Sequence, residues 1–256
     1  MHFWGLITGN VNCCCPFKFN SKSKSMKNAL ITGGSGGIGY GVAKALLQEE
    51  YRVMITGRNP EKLDQAVHSL SNGSKDQILG RVCDVRDLQA QQRTVSDLLA
   101  EFGSLDVLVA NAGIGHFAPV DQLTIEQWQE TIDTNLTGVF YSLHASLPAL
   151  KSSKGYVFTI SSLAGTNFFA AGSAYNASKF GLTGFTQAVM LDLRKYGIRV
   201  ATIMPGSVAT DFSAVRTEDE SWKIQPEDIG QMIADLLKLN PRTLPSKVEV
   251  RPTLPR

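Results

Sequence analysis

Short apolar runs alternate with helix-patterned segments along this chain from Asn28 to Val250, and few architectures accept that alternation. The runs read as strands are Asn28–Thr32, Arg52–Thr56, Gln77–Cys83, Leu105–Ala110, Tyr156–Ser161, Ile198–Met204 and Lys247–Val250. Between them lie segments with helical spacing of apolar residues: Pro60 to about Leu70, Asp87–Phe102, Thr124–Leu150 (read as two helices in succession), Ser173–Tyr196 and Pro226–Leu239. Strand–helix alternation of this kind predicts parallel strands with helices covering both faces. The expected fold class is α/β: one doubly wound parallel sheet of about seven strands with right-handed crossovers. In such sheets ligands bind beyond the carboxyl ends of the strands, where the strand order reverses.

Composition narrows the function. The 256 residues fit one α/β domain, or at most two small ones, and a 43% hydrophobic fraction supports a sizeable core. A formal net charge of +2, with acidic and basic residues interspersed, predicts no nucleic acid and no acidic membrane surface as partner. Of the four cysteines, Cys13, Cys14 and Cys15 are adjacent and Cys83 lies in an apolar run. That is neither a disulfide framework nor a metal-ligand spacing, so no metal and a reducing, cytoplasmic compartment are expected. No apolar stretch reaches the ~18–20 residues needed to cross a bilayer. The start of the chain lacks the charged segment and continuous apolar core of a secretory signal. Residues 1–25 show neither period and end in Ser21-Lys22-Ser23-Lys24-Ser25. They are read as a loose extension preceding one domain over 26–256.

Directly after the first strand comes Thr32-Gly33-Gly34-Ser35-Gly36-Gly37-Ile38-Gly39. Glycines there let the chain turn tightly and bring backbone N–H groups up to a pyrophosphate. The following helix presents the positive end of its dipole to the same group. The position between strand and helix is the context such a motif needs. Two registers fit: Gly34, Gly36 and Gly39 as G-x-G-x-x-G, or Gly33, Gly37 and Gly39 as G-x-x-x-G-x-G.

A second constellation opens the long helix at Tyr175-Asn176-Ala177-Ser178-Lys179. Residues i and i+4 share a helix face, so Tyr175 and Lys179 are neighbours. A phenol titrates near ~10 when unperturbed, and a nearby ammonium would lower that value. Ser162, at the end of the preceding strand, reaches the same end of the sheet and can donate its hydroxyl to a carbonyl oxygen.

These residues together resemble the short-chain dehydrogenase/reductase family. The resemblance rests on Tyr175-x-x-x-Lys179, Ser162 thirteen residues earlier, and the Gly33/Gly37/Gly39 turn. It extends to Asn111-Ala112-Gly113, Asn135 in Thr134-Asn135-Leu136-Thr137-Gly138, Pro205-Gly206-Ser207-Val208-Ala209-Thr210 and Cys83-Asp84-Val85. The similarity runs from about Met26 to Val250 and implies a Rossmann-type domain. It implies that Tyr175 is the general acid in reduction and the base in oxidation, and that Ser162 orients and polarises the carbonyl. Lys179 would lower the Tyr175 pKa and hold the nicotinamide ribose, and Asn135 would support a water linking Lys179 to solvent. The cofactor would also touch Gly33, Ser35, Gly36, Gly37, Ile38, Gly39, Asp84, Val85, Asn111, Ala112, Gly113, Tyr175, Pro205, Gly206, Val208 and Thr210. A homo-oligomer, tetramer or dimer, is expected by the same analogy, with small and apolar residues Ala177, Gly181, Gly184, Ala188 and Leu191 on the long helix.

Cofactor choice is read from Thr56-Gly57-Arg58-Asn59. Where an NAD-binding fold places a carboxylate against the ribose hydroxyls, this chain has a neutral residue followed by Arg58. A guanidinium can bind a 2′-phosphate, so NADP(H) is preferred and NAD(H) remains possible. Segments Ile114–Val120, Leu163–Gly172 and Phe212–Ile224 would line the substrate side, contributing Phe117, Phe168, Phe169, Phe212 and Trp222. They point to a small-molecule carbonyl or alcohol substrate of apolar character, a ketone or a 3-oxoacyl compound. The chain ends Val248-Glu249-Val250-Arg251-Pro252, a departure from the Gly-Gly-bearing terminal strand common among 3-oxoacyl-carrier-protein reductases. Two other readings stay open: a cofactor-sensing protein of the same fold with little catalysis, and an alcohol dehydrogenase running in the oxidative direction.

Overall fold

A computed structural model describes residues 26–71, 76–212 and 219–254. Residues 1–25, with the three adjacent cysteines, and part of the Phe212–Ile224 segment lie outside the described residues. Among the described residues there are seven strands, β1 (Asn28–Ile31), β2 (Arg52–Gly57), β3 (Ile78–Val82), β4 (Val107–Ala110), β5 (Tyr156–Ile160), β6 (Arg199–Pro205) and β7 (Lys247–Val250). They form one parallel sheet in the order β3-β2-β1-β4-β5-β6-β7. The order reverses between β1 and β4, so the carboxyl ends of those two strands mark the crevice.

The described residues also form seven α-helices, α1 (Gly37–Gln48), α2 (Pro60–Ser71), α3 (Leu88–Phe102), α4 (Ile125–Ile132), α5 (Gly138–Ser153), α6 (Ser173–Leu193) and α7 (Pro226–Lys238). Alternate residues of the strands feed two separate cores. Ile31, Val53, Ile55, Val109 and Phe158 point to the layer of α1, α2 and α7, packing with Leu46, Leu63 and Ile233. Leu30, Met54, Leu108 and Val157 point to the layer of α3, α5 and α6, packing with Leu98, Leu150 and Leu193. This two-sided burial is why the central strands read as continuous apolar runs.

Predicted element ends shift by a residue or two where strands give way to loops, and one difference has a local cause. The stretch read as two helices is divided by a π turn, Asp133–Thr137, which inserts an extra residue between α4 and α5. Such bulges collect at functional sites, and this one carries Asn135. Among the described residues, no helix is long and apolar enough to cross a membrane.

Candidate active site

Above the carboxyl ends of the strands lies a cavity of about 990 Å³. The glycine turn forms one wall, and its conformation settles which register applies. Gly33 (φ +66) and Gly37 (φ +53) adopt left-handed backbone that disfavours side chains. A Cβ on Gly39 would lie 2.6 Å from Asn111 Nδ2 and closer still to the Gly33 carbonyl, so only glycine lets α1 start this close to β1. Gly36 is extended and a Cβ there would meet open space. The wider spacing, Gly33-x-x-x-Gly37-x-Gly39, is therefore the one the backbone requires. Asn111 fixes the turn from β4: its Nδ2 donates to the carbonyls of Thr32 (2.9 Å) and Gly33 (3.0 Å). Thr32 Oγ1 in turn accepts from the backbone N–H of Asn111 (3.0 Å) and Ala112 (3.1 Å).

The predicted site residues Gly33, Ser35, Gly36, Gly37, Ile38, Arg58, Asp84, Val85, Asn111, Ala112, Gly113, Ser162, Tyr175, Lys179, Pro205, Gly206, Val208 and Thr210 all line this cavity. Gly39 and Asn135 do not: Gly39 is packed behind the turn, and Asn135 is fully buried. Asn135 Nδ2 donates to the Ile114 carbonyl (2.8 Å) and to Ser178 Oγ (3.0 Å), while its Oδ1 accepts from the Ile114 N–H (2.8 Å). It thus ties the π turn to both the β4 loop and α6. On the other side, Thr210 closes on the glycine turn; a Cβ on Gly37 would meet its Cγ2 at 3.3 Å. Sequence reasoning missed Lys62, Gln65 and Ser69 in the lining, since nothing in their local pattern distinguishes them from solvated polar residues; Lys223 falls within the Phe212–Ile224 segment expected there.

At the floor of the cavity the first two turns of α6 bring Tyr175 and Lys179 together, with Lys179 Nζ 5.7 Å from the Tyr175 ring centre. Lys179 is 4% exposed, donates to the Ile160 carbonyl at 2.9 Å, and pairs with no carboxylate among the described residues. Stripped of water without a counter-charge, its ammonium is pushed down to about 8. Burial raises the Tyr175 phenol, and a hydrogen bond with Ser162 opposes the rise. The direction is opposite to that expected from a neighbouring ammonium, because desolvation of the phenolate dominates. Tyr175 is accordingly held protonated. Ser162 caps the short 3₁₀ turn Leu163–Gly165, accepting from the Ala164 N–H at 3.1 Å.

Around Tyr175 the walls are aromatic. Phe117 stands edge-on to it with ring centres 5.4 Å apart, Phe212 lies at 5.6 Å, and Phe169 packs on Phe117 at 6.0 Å. Phe169 itself stands outside the lining and is half-exposed; Phe168, which is 86% exposed, and Trp222 lie outside it as well.

The opposite end, beside β2 and β3, is polar and open. Arg86 chelates Asp84, with Nη2 2.6 Å from Oδ2, and holds the Asp84 carboxyl below its ordinary range. Arg58 lines the cavity, but its guanidinium also pairs with Glu130 of α4 at 3.4 Å. Lys62, in the first turn of α2, adds a second cation to the same wall.

The sequence profile of the short chain dehydrogenases matches residues 27–221. A putative ketoacyl reductase of Streptomyces coelicolor is 33% identical over 225 residues, covering 86% of each chain. Among solved structures, a metagenomic short-chain oxidoreductase in complex with NADP is 34% identical (TM-score 0.78), with 90% of this chain and 98% of that one covered. An alcohol dehydrogenase of Thermococcus sibiricus complexed with 5-hydroxy-NADP superposes at TM-score 0.84 with 27% identity and the same coverage, 90% and 98%. A profile match over most of the chain, on a sheet of this order with its crevice at the β1/β4 reversal, makes the protein a member of the short chain dehydrogenase family and an NAD(P)-dependent oxidoreductase.

Proposed function

We propose that this protein is an NADP(H)-dependent reductase of apolar ketones or 3-oxoacyl compounds, with Tyr175 as proton donor. The observation that carries the reading is geometric: Tyr175 and the buried Lys179, its Nζ 5.7 Å from the Tyr175 ring centre, stand together with Ser162 in the lining of one aromatic-walled cavity. The residues present fit a dinucleotide. The left-handed Gly33 and Gly37 leave a cradle without side chains at the start of α1, and the cavity runs continuously from Arg58 to Lys179. Gly33, Ser35, Gly36, Gly37, Ile38, Asn111, Ala112, Gly113, Pro205, Gly206, Val208 and Thr210 would hold it, with Asp84 and Val85 at the adenine side. Arg58 at the ribose favours the 2′-phosphate form, in keeping with the 5-hydroxy-NADP and the NADP carried by two of the similar structures. When bound, the reduced nicotinamide supplies hydride to the carbonyl carbon.

The chain's own groups supply the rest. Ser162 Oγ donates to the carbonyl oxygen and orients it toward Tyr175. Tyr175 Oη gives that oxygen a proton as charge develops on it, and a phenol raised by burial is an acid that has kept its proton for this moment. Lys179, hydrogen-bonded to the Ile160 carbonyl beneath the phenol, stabilises the phenolate left behind and can return a proton to it. Asn135 acts through its hold on Ile114 and Ser178, as a positioning residue. Phe117 and Phe212 exclude water and receive the apolar body of the substrate, with Phe169 packed behind Phe117.

The reading includes a homo-oligomer in the cytoplasm. Exposed Phe140, Phe180 and Leu191 on α5 and α6 support self-association, and the cysteine usage supports the compartment. The test is NADPH oxidation, followed at the nicotinamide absorbance, over a panel of cyclic, aromatic and 3-oxoacyl ketones. Turnover of at least one is expected. Tight NADPH binding with no turnover across the panel would favour the cofactor-sensing alternative.

A further inference from the structure

The rim of the cavity carries a junction of charges that the proton chemistry does not use. Glu130 gathers groups from three separate segments. Its Oε2 lies 2.9 Å from His116 Nε2, and its Oε1 faces Arg58 Nη1 at 3.4 Å and Arg86 Nη1 at 3.6 Å. These contacts hold the Glu130 carboxyl below its ordinary range, the hydrogen bond from His116 contributing most. Arg86 has a second and tighter partner in Asp84 at 2.6 Å. Arg58 has no other carboxylate within salt-bridge distance among the described residues. The carboxylate is thus anchored from two sides, by His116 and Arg86, and Arg58 is the group that can leave it.

Arg58 lines the cavity and Glu130 does not. The pair therefore draws a cavity-wall guanidinium outward, toward α4. We propose that Glu130 is a specificity-determining residue: it competes with the 2′-phosphate of NADP(H) for Arg58 and so sets how strongly the enzyme prefers the phosphorylated cofactor. The inference rests on the NADP(H) reading above and goes beyond it. The side chains of Arg58 and Glu130 are 51% and 34% exposed, so their pair is weak enough to be exchanged. A phosphate dianion is a better partner for a guanidinium than one carboxylate, so Arg58 moves to it. Breaking the first pair still subtracts from the affinity gained. A cofactor with a free 2′-hydroxyl cannot drive the exchange, so its affinity does not depend on Glu130. Had Glu130 instead aimed Arg58 at the phosphate, the dependence would have the opposite sign.

The experiment is calorimetric titration of NADP⁺ and NAD⁺ into the full chain and into Glu130→Gln, Arg58→Ala and the double variant, at fixed moderate salt. Gln keeps an acceptor for His116 and removes the charge. Glu130→Gln is expected to tighten NADP⁺ by roughly 1.5- to 5-fold, the range an exposed ion pair supports, and to leave NAD⁺ unchanged. In the Arg58→Ala background the gain should disappear, which is the signature of coupling between the two residues. NADP⁺ affinity that is unchanged or weaker in Glu130→Gln would overturn the proposal. So would equal tightening of both cofactors, an undiminished gain without Arg58, or joint loss of both affinities with a lowered Tm. Wild-type protein that binds NAD⁺ as tightly as NADP⁺ would overturn this proposal and the cofactor reading together. A wild-type preference for NADP⁺ without the Glu130→Gln gain would overturn this proposal alone.

Discussion

The two ends of the cavity handle cations in opposite ways. At the rim, Arg58 and Arg86 keep 51% and 38% of their side-chain surface and face carboxylates. At the floor, Lys179 keeps 4% and faces a backbone carbonyl. A solvated, paired guanidinium stays charged and acts at a distance that salt shortens. A desolvated ammonium, here pushed down to about 8, gives up its proton more readily and so can take part in proton traffic. Recognition and proton chemistry are separated along one cavity by how much water each end admits.

The largest effect that can break this contrast is at the floor. Tyr175→Phe keeps the ring among Phe117 and Phe212 and removes the proton donor. Turnover should fall by about 10²–10⁴-fold with NADPH affinity little changed. Near-full turnover would sink the assignment of Tyr175.

Lys179 gives a second test through stability. Its folded pKa of about 8 lies below the ordinary 10.5, so burial penalises the charged form by roughly 3 kcal/mol. Below pH 8 both folded and unfolded chains carry the proton and the full penalty applies; between pH 8 and 10.5 the unfolded chain binds more protons, so stability rises with pH. Lys179→Met removes the penalty but orphans the Ile160 carbonyl. The expected result at pH 7 is a Tm higher by roughly 5 °C, a gain that fades as pH approaches 10.5, together with loss of turnover. A lower Tm in thermal melts would mean the hydrogen bond outweighs the desolvation.

The rim should respond more gently. Arg58→Ala is expected to weaken NADPH by about 3- to 10-fold, less than a buried phosphate contact would give, and to leave NADH alone. The loss should shrink as salt is raised. It is a cleaner test than placing a carboxylate at Gly57, where a Cβ would already sit 3.0 Å from Ser35 Oγ. Salt-independent loss in titrations at two ionic strengths would show that Arg58 acts by shape. The smallest effect expected is none at all. We propose that residues 1–25 are dispensable, so a chain starting at Met26 should keep its Tm and NADPH affinity, and a clear drop in either would assign the extension a structural part.

What the sequence disclosed follows the same division. The sheet was legible because strands buried on both faces leave continuous apolar runs. Tyr175 and Lys179 were legible because a helix turns i, i+4 spacing into adjacency. The direction of the Tyr175 shift was not, since desolvation depends on walls supplied by Phe117 and Phe212 from distant segments. Nor was Glu130, whose partners Arg58 and His116 stand 72 and 14 residues away in the chain. The π turn escaped as well, because Asp133–Thr137 keeps helical composition while changing its hydrogen bonds.

The bonds between the glycine turn and Asn111 carry a consequence for folding. Thr32 and Asn111 are 79 residues apart, so the cradle exists only after two sequence-distant strand–helix units have docked. Closing so long a loop is an entropic cost met by the whole sheet, not by the turn itself. A ligand gripping that cradle would therefore report on global folding: it would bind no partly folded half, and saturating it would raise the unfolding midpoint of the entire domain by mass action.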